Sequence, residues 1–281
     1  MNEAATLSAY YEERLRSVEA IVQKRDGKTS EEAIHKLRVE IKKIKAVTQL
    51  LHFCTNDFHR KQLLKAYKKI FKAAGAIREA QLERKALEKL HMLDALKRYA
   101  SHLNEHLEKA THQYLVLIDA QLVQELEATR GLIVPCFDAV HEEDVNRFLK
   151  VKSREIDALA KNGRLKKQQT HELRNVLKVF YYTVLLYHGN NERFKNMDAF
   201  QELLGHWHDA IVLRGYLQKA AAAGSVHTKE RKHLAAVKHK MAAKSKRLFK
   251  RIQEQIPGFQ EAKQALLLQV VQITHAPKTR I

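Results

Sequence analysis

Proline and glycine are scarce, with 3 and 9 in 281 residues, and helix formers dominate the remainder. Pro135, Pro257 and Pro277 fall between or beyond the periodic segments, where they would break no helix, so the predicted fold class is all-α. Cysteine is nearly absent. Cys54 and Cys136 form no CxxC pair, which excludes a disulfide framework and points to a reducing, cytoplasmic compartment. No long apolar run occurs either. The longest nearly uncharged stretch, "ALLLQVVQI" at 265–273, is about half of a bilayer crossing, and "MNEAATLSAYYEER" turns charged at once, so neither a membrane span nor a secretory segment is expected. Missing too are a Gly-rich phosphate loop, an HExxH pair, a Cys/His pairing and a carboxylate cluster on the basic helix faces, so no enzyme activity is expected.

What the chain has in excess is positive charge. Against 32 Asp plus Glu stand 51 Lys plus Arg, a formal net charge of +19 and a pI near 9.8. That excess costs self-repulsion unless an anion is bound, so a polyanionic partner is the first inference. With 45% hydrophobic residues the chain is expected to fold into one compact body.

The chain matches itself. At an offset of 136, Asp26-Gly27 aligns with Asn162-Gly163, His35 with His171, Leu37 with Leu173, Arg38 with Arg174, Lys42 with Lys178 and His52 with His188. Further on the offset falls to 130, and Gly75 aligns with Gly205, Ala80 with Ala210, Arg84 with Arg214 and Leu87 with Leu217. An internal duplication follows, predicting two four-helix bundles related by a pseudo-twofold. Helices are expected over 5–25, 30–53, 57–74 and from 76 with a bend near 91–94. The second set is expected over 142–161, 166–188, 192–204 and 207–253, interrupted at Gly224. Asp-Gly and Asn-Gly are read as the stops of each opening helix. The first repeat is placed at 5–130, a connector at 131–141, the second repeat at 142–253, and an extension with a short helix and basic tail at 254–281; the joining segment "RGLIVPCF" at 130–137 is apolar enough to pack.

In "IHKLRVEIKKIKAV", residues 34–47, the buried stripe reads Ile34, Leu37, Ile41 and Ile44, continuing to Thr48 and Leu51. One residue later in each case come His35, Arg38, Lys42, Lys45, Gln49 and His52, a second stripe rotated by about 100° that borders the core. No acidic residue relieves the repulsion along it. A cationic ridge in that position lines a groove or seam, and an anion with spaced charges would turn its repulsion into attraction. The second copy carries His171, Arg174 and Lys178 beside Leu173, Leu177, Phe180, Val184 and Tyr187, with Tyr181 where Lys45 stands and Leu185 where Gln49 stands.

The pattern HxxRVxxKKxK, then Gly75-xx-Arg78-Glu79, then HxLRxxxKxxxY and "LGHWHDAIV" at 204–212 resembles the CHAD family, the conserved histidine α-helical domain, over about residues 5–253. Lys42, Lys43 and Lys45 stand where the family usually has arginines, Glu79 where it has Asp, and Tyr181 and His208 at positions commonly basic. The resemblance implies a pair of four-helix bundles with a basic surface between them that binds inorganic polyphosphate.

Two further series extend the expected binding surface. Lys61, Lys65, Lys68 and Lys72 share a face of the third predicted helix, and Lys68 and Lys72 are taken as groove residues. Lys240, Lys244, Arg247 and Arg251 repeat the spacing beside Leu234, Val237, Met241, Leu248 and Ile252, marking that helix as a second wall. Gly75 and Gly205 are read as sites of tight helix packing. Arg78-Glu79 and His208-Asp209 are read as pairs that orient the cations, since a carboxylate aimed at a polyanion would weaken binding. Sixteen histidines raise a metal site, through His102 and His106, His206 and His208, or His35 meeting His171. The surrounding cations repel a divalent ion, so neither a metal nor a cofactor is expected.

The leading expectation is a non-catalytic polyphosphate-binding module, cytoplasmic and associated with polyphosphate granules. The alternatives are a nucleic-acid binder and a granule or enzyme adaptor, with "KQALLLQVVQITHAPKTRI" as a partner helix. Against nucleic acid, aromatics are 7% and Trp207 sits in a helix-start motif instead of on a stacking platform, which leaves weak binding through phosphates. The sequence fixes no oligomeric state.

Overall fold

The structure, a computed structural model, describes residues 3–23, 30–55, 58–161, 165–188, 195–222 and 228–273. These form α1 (Glu3–Gln23), α2 (Glu31–Cys54), α3 (Arg60–Leu63), α4 (Lys65–Lys89), α5 (Lys97–Leu117), α6 (Ala120–Ile133), α7 (Glu142–Leu159), α8 (Lys167–His188), α9 (Lys195–Ala222) and α10 (Thr228–Ile273). Short 3-10 turns lie at Asp94–Leu96 and Val134–Ala139, and no strand occurs among the described residues. The fold is all-α.

Helix α2 starts where its chemistry says it should. Ser30 accepts the Ala33 N–H at 3.1 Å, and Glu31 and Glu32 sit against the positive end of the helix dipole. Its expected stripe of Ile34, Leu37, Ile41, Ile44, Thr48 and Leu51 is buried throughout. Burial extends further, to Glu40, Ala46, Val47 and Leu50, because α2 packs on α1, α4 and α8 at once. Buried Glu40 is held by Arg14 at 3.3 Å and Lys43 at 2.9 Å.

Three expected breaks are absent. Helices α4 and α9 run straight through Gly75 and Gly205, where ends had been predicted at 74–76 and 204–207. A helical glycine costs about 1 kcal/mol, which burial of Ile70, Ala74 and Ile77 around Gly75, and of Leu204, Trp207 and Ala210 beside Gly205, outweighs. Likewise α10 continues past 253 to 273 with Pro257 inside it, so Pro257 does not lie between periodic segments. Ile256 and Phe259 flank the proline and are buried, and Phe259 stacks on Phe200 at 4.3 Å. Each such side chain contributes about 1.5–3 kcal/mol, comparable with the roughly 3 kcal/mol a helical proline costs.

The bend near 91–94 is real. There the Met92 N–H reaches Leu87 O and the His91 N–H reaches Glu88 O, a Schellman stop with His91 at φ 53 in the position glycine usually takes. The residues linking the halves are helical and packed, with Ile133 and Phe137 buried. Asp26-Gly27, Asn162-Gly163, Gly224 and Pro277, read as helix stops or breaks, lie outside the described residues.

The main apolar core spans both halves, from Leu7, Tyr11 and Ile34 to Leu173, Phe180, Trp207 and Ile252. A smaller cluster joins Leu87, Leu96 and Leu103 to Leu213, Leu217 and Val237, again mixing the two halves. In the middle, α2 packs against α8, with α1 and α4 against α2, α7 and α9 against α8, and α4 touching α9.

Candidate anion-binding groove

Packing of α2 on α8 brings the two cationic ridges to one seam. Burial lowers the Lys178 pKa to about 6, and Lys42, Arg174 and Arg38 push it the same way, against Asp209. Lys42 falls to about 8 for the same reasons, burial first and then Arg38 and Arg174. Charges from α2 and α8 therefore act on one another. None of Arg38, Lys42, Lys45, Arg174 and Lys178 is in an ion pair with a described residue.

Helix α4 packs on α2 beside the seam. The Arg38 guanidinium donates Nη1–H to Phe71 O at 2.9 Å and lies over the Phe71 ring at 4.1 Å. The same Nη1 stands 2.6 Å from where a Cβ would be at Gly75, so the expected tight packing at Gly75 is the approach of an arginine side chain to the α4 backbone. Lys45 Nζ lies 3.9 Å above the same Phe71 ring, and burial with Arg38, Lys68 and Arg60 lowers it to about 8. Lys68 is exposed, near enough to act on Lys45, and Lys72 is exposed one turn further along α4.

Helix α9 packs on α8 and touches α4. His208 Nδ1 lies 3.3 Å from His171 Nδ1, and the His171 ring packs on Trp207 with centroids 4.7 Å apart. Burial, then Arg174, His171 and Lys178, lowers His208 to about 4, and burial, then Arg174, lowers His171 as well. His35 is exposed and its pKa is lowered, by burial of its ring and then by Arg78, Lys42 and Arg38.

The acidic residues sit behind the cations. Arg78 donates to Glu31 at 2.7 Å, and Glu79 accepts the Tyr216 hydroxyl across the α4–α9 contact. Glu79 also raises the Arg38 pKa against the lowering by burial, and Asp209 does so for Arg174. Arg78-Glu79 and Asp209 thus support the cations without pairing with Arg38 or Arg174 directly.

Several expectations change. Trp207 is buried inside α9 instead of marking a helix start, since α9 begins at Lys195. His171 meets His208, and no contact joins it to His35 among the described residues. His102 pairs with Glu105 at 3.6 Å, His106 and His206 are exposed, and no group of three or more His, Cys, Asp or Glu among the described residues could hold a metal ion. Lys240, Lys244, Arg247 and Arg251 are all exposed on α10, which packs on α9 and α7. The largest charge effects on the seam cations come from elsewhere.

Three residues beside the seam escape the sequence reading. Phe71, Arg60 and Tyr216 all act across helices, Arg60 by donating to Lys45 O at 3.3 Å. The signal for Phe71 was its position one turn before Gly75 on the helix facing the ridge.

No helix among the described residues is long and apolar enough to cross a membrane. No curated protein matches the chain. Among solved structures, the CHAD domain from the plant Ricinus communis superposes with a TM-score of 0.70 at 14% identity, over 95% of this chain and 92% of that one. PptA from Streptomyces chartreusis superposes with a TM-score of 0.69 at 12% identity, over 97% and 100%. The family model described as CHAD domain matches residues 9–218, three quarters of the chain with both ridges, and the protein belongs to the CHAD domain family.

Proposed function

We propose that the protein binds inorganic polyphosphate, without catalysis, along the seam between α2 and α8. The observation that carries this reading is the meeting of Arg38 and Lys42 with Arg174 and Lys178 in a half-buried groove where none has a carboxylate partner among the described residues. Half-buried like charges repel strongly, and a chain of phosphates reverses that term while accepting charge-assisted hydrogen bonds from both arginines. Lys45 and Lys68 continue the track along α4 toward Lys72, and His35 and His171 lie at its other end. The exposed cations of α10, Lys240, Lys244, Arg247 and Arg251, add a weaker, salt-screened attraction from outside the groove. We place this function in the cytoplasm, in association with polyphosphate granules.

A polymer with a charge on every phosphate suits this spacing better than nucleic acid does. Phe71 is covered by Arg38 and Lys45 and Trp207 is buried, so neither offers a free face for a base. Calorimetric titration with long polyphosphate, single-stranded RNA and duplex DNA at near-physiological salt tests the choice. Polyphosphate is expected to bind at least tenfold more tightly than either nucleic acid, with affinity falling steeply as salt rises. Equal affinities, or a preference for nucleic acid, overturn the proposal.

A further inference from the structure

The two halves of the groove are not alike. On α8 and α9, His171 meets His208, and Asp198 lies near enough to Tyr181 to raise its pKa, two contacts that share one antiparallel register. In that register Arg174 stands opposite Gly205, and Lys178 opposite Gln201. The corresponding pairs on α2 and α4 are Arg38 with Gly75, and Lys42 with Phe71.

In the first half this space is filled. Arg38 covers Gly75, bonds Phe71 O and lies on the Phe71 ring. In the second half it is open. No other element or side chain comes within 4 Å of where a Cβ would stand at Gly205. Around that opening, Arg174 Nε and Gln201 Nε2 are both buried donors with no acceptor among the described residues. Gln201 occupies the place of Phe71, so an amide donor replaces the aromatic platform that occupies Arg38.

We infer that Arg174, Gln201 and the open backbone at Gly205 form a subsite for a single phosphoryl group, distinct from the Phe71-braced half of the groove. A phosphoryl oxygen satisfies both orphaned N–H groups, and the absent side chain at Gly205 leaves room for it beside α9. Lys178 and His208, which flank the opening, gain protons as the anion's charge arrives. In the first half one Arg38 donor is already bonded to α4, so that arginine offers the polymer fewer hydrogen bonds than Arg174 does. A phosphate chain is thus held firmly at one point and loosely along the rest. This inference rests on the proposed polyphosphate reading and adds to it the position and donors of one subsite.

Titration of the protein with tripolyphosphate and with long polyphosphate, beside Gln201→Leu and Gly205→Leu, tests it. Leucine at 201 keeps the volume and removes an unsatisfied buried donor, so that variant is expected to melt at a higher temperature while binding tripolyphosphate about tenfold more weakly. Leucine at 205 fills the opening, and the same tenfold loss is expected with no fall in melting temperature. Unchanged tripolyphosphate affinity in both variants, with the unmodified protein still binding, overturns the subsite and leaves the polyphosphate reading standing. Failure of the unmodified protein to bind either polymer overturns both. A lowered melting temperature in Gln201→Leu counts against Gln201 as a donor, and Gly205→Leu then decides the subsite alone.

Discussion

Lys178 shows how a single side chain reports on its ligand. Burial and three neighbouring cations hold its folded pKa near 6, while in the unfolded chain it takes the ordinary lysine value of about 10.4. Between those values the unfolded chain carries a proton that the folded protein lacks. This group's contribution to stability therefore rises with pH across the window, and its penalty is complete below about 6. Lys178→Met removes the penalty. The variant is expected to be more stable than the parent at pH 6 in urea unfolding, with the advantage shrinking steadily toward pH 10. An advantage that stays constant with pH contradicts the arrangement. Polyphosphate should return the proton to Lys178, so Lys178→Met also reduces the proton uptake that accompanies binding near neutral pH.

At this scale much was legible. His35, Arg38 and Lys42, with His171, Arg174 and Lys178, follow from a 3.6-residue period, because an amphipathic helix fixes which residues border its buried stripe. What one residue touches across a helix pair was not legible. Arg38 lies on Phe71, and His171 on His208 instead of His35, because those contacts depend on helix register, which local periodicity leaves open.

Among the elements, α10 departs furthest from its sequence reading. Its charged half was expected to form a groove wall, and its apolar end a separate short helix. The structure has one helix of 46 residues whose cations are exposed. Pro257 and a change in composition look like a boundary along the sequence, but the deciding contacts come from α7 and α9. One of them is Lys263, which is 1% exposed and donates to Ser153 Oγ at 2.6 Å and to Asp157 at 2.7 and 2.8 Å. This anchor fastens the segment after Pro257 to α7. Lys263→Met is expected to cost about 1.5–3 kcal/mol in denaturant unfolding, with loss of amide-exchange protection concentrated after residue 257. Unchanged protection there would show that apolar packing alone holds the helix end. The same logic explains the glycines. Gly75 and Gly205 resemble helix boundaries in sequence, yet each sits mid-helix, Gly75 against the Arg38 guanidinium and Gly205 beside open space.

For the whole molecule, the net charge of +19 is the property most easily read and the least specific. Any basic protein attracts phosphate backbones. What distinguishes this one is the concentration of charge where α2 and α8 meet, inside a continuous core that spans both halves and fixes the distance between the ridges. The measurement that separates a built groove from general basicity compares two variants of nearly equal charge loss by polyphosphate calorimetry. One replaces Arg38, Lys42, Arg174 and Lys178 with alanine, and the other replaces Lys240, Lys244, Arg247 and Arg251. The groove variant is expected to lose at least a hundredfold in affinity while remaining folded, and the α10 variant less than tenfold. Equal losses, or a larger loss from α10, would contradict a polyphosphate site between α2 and α8.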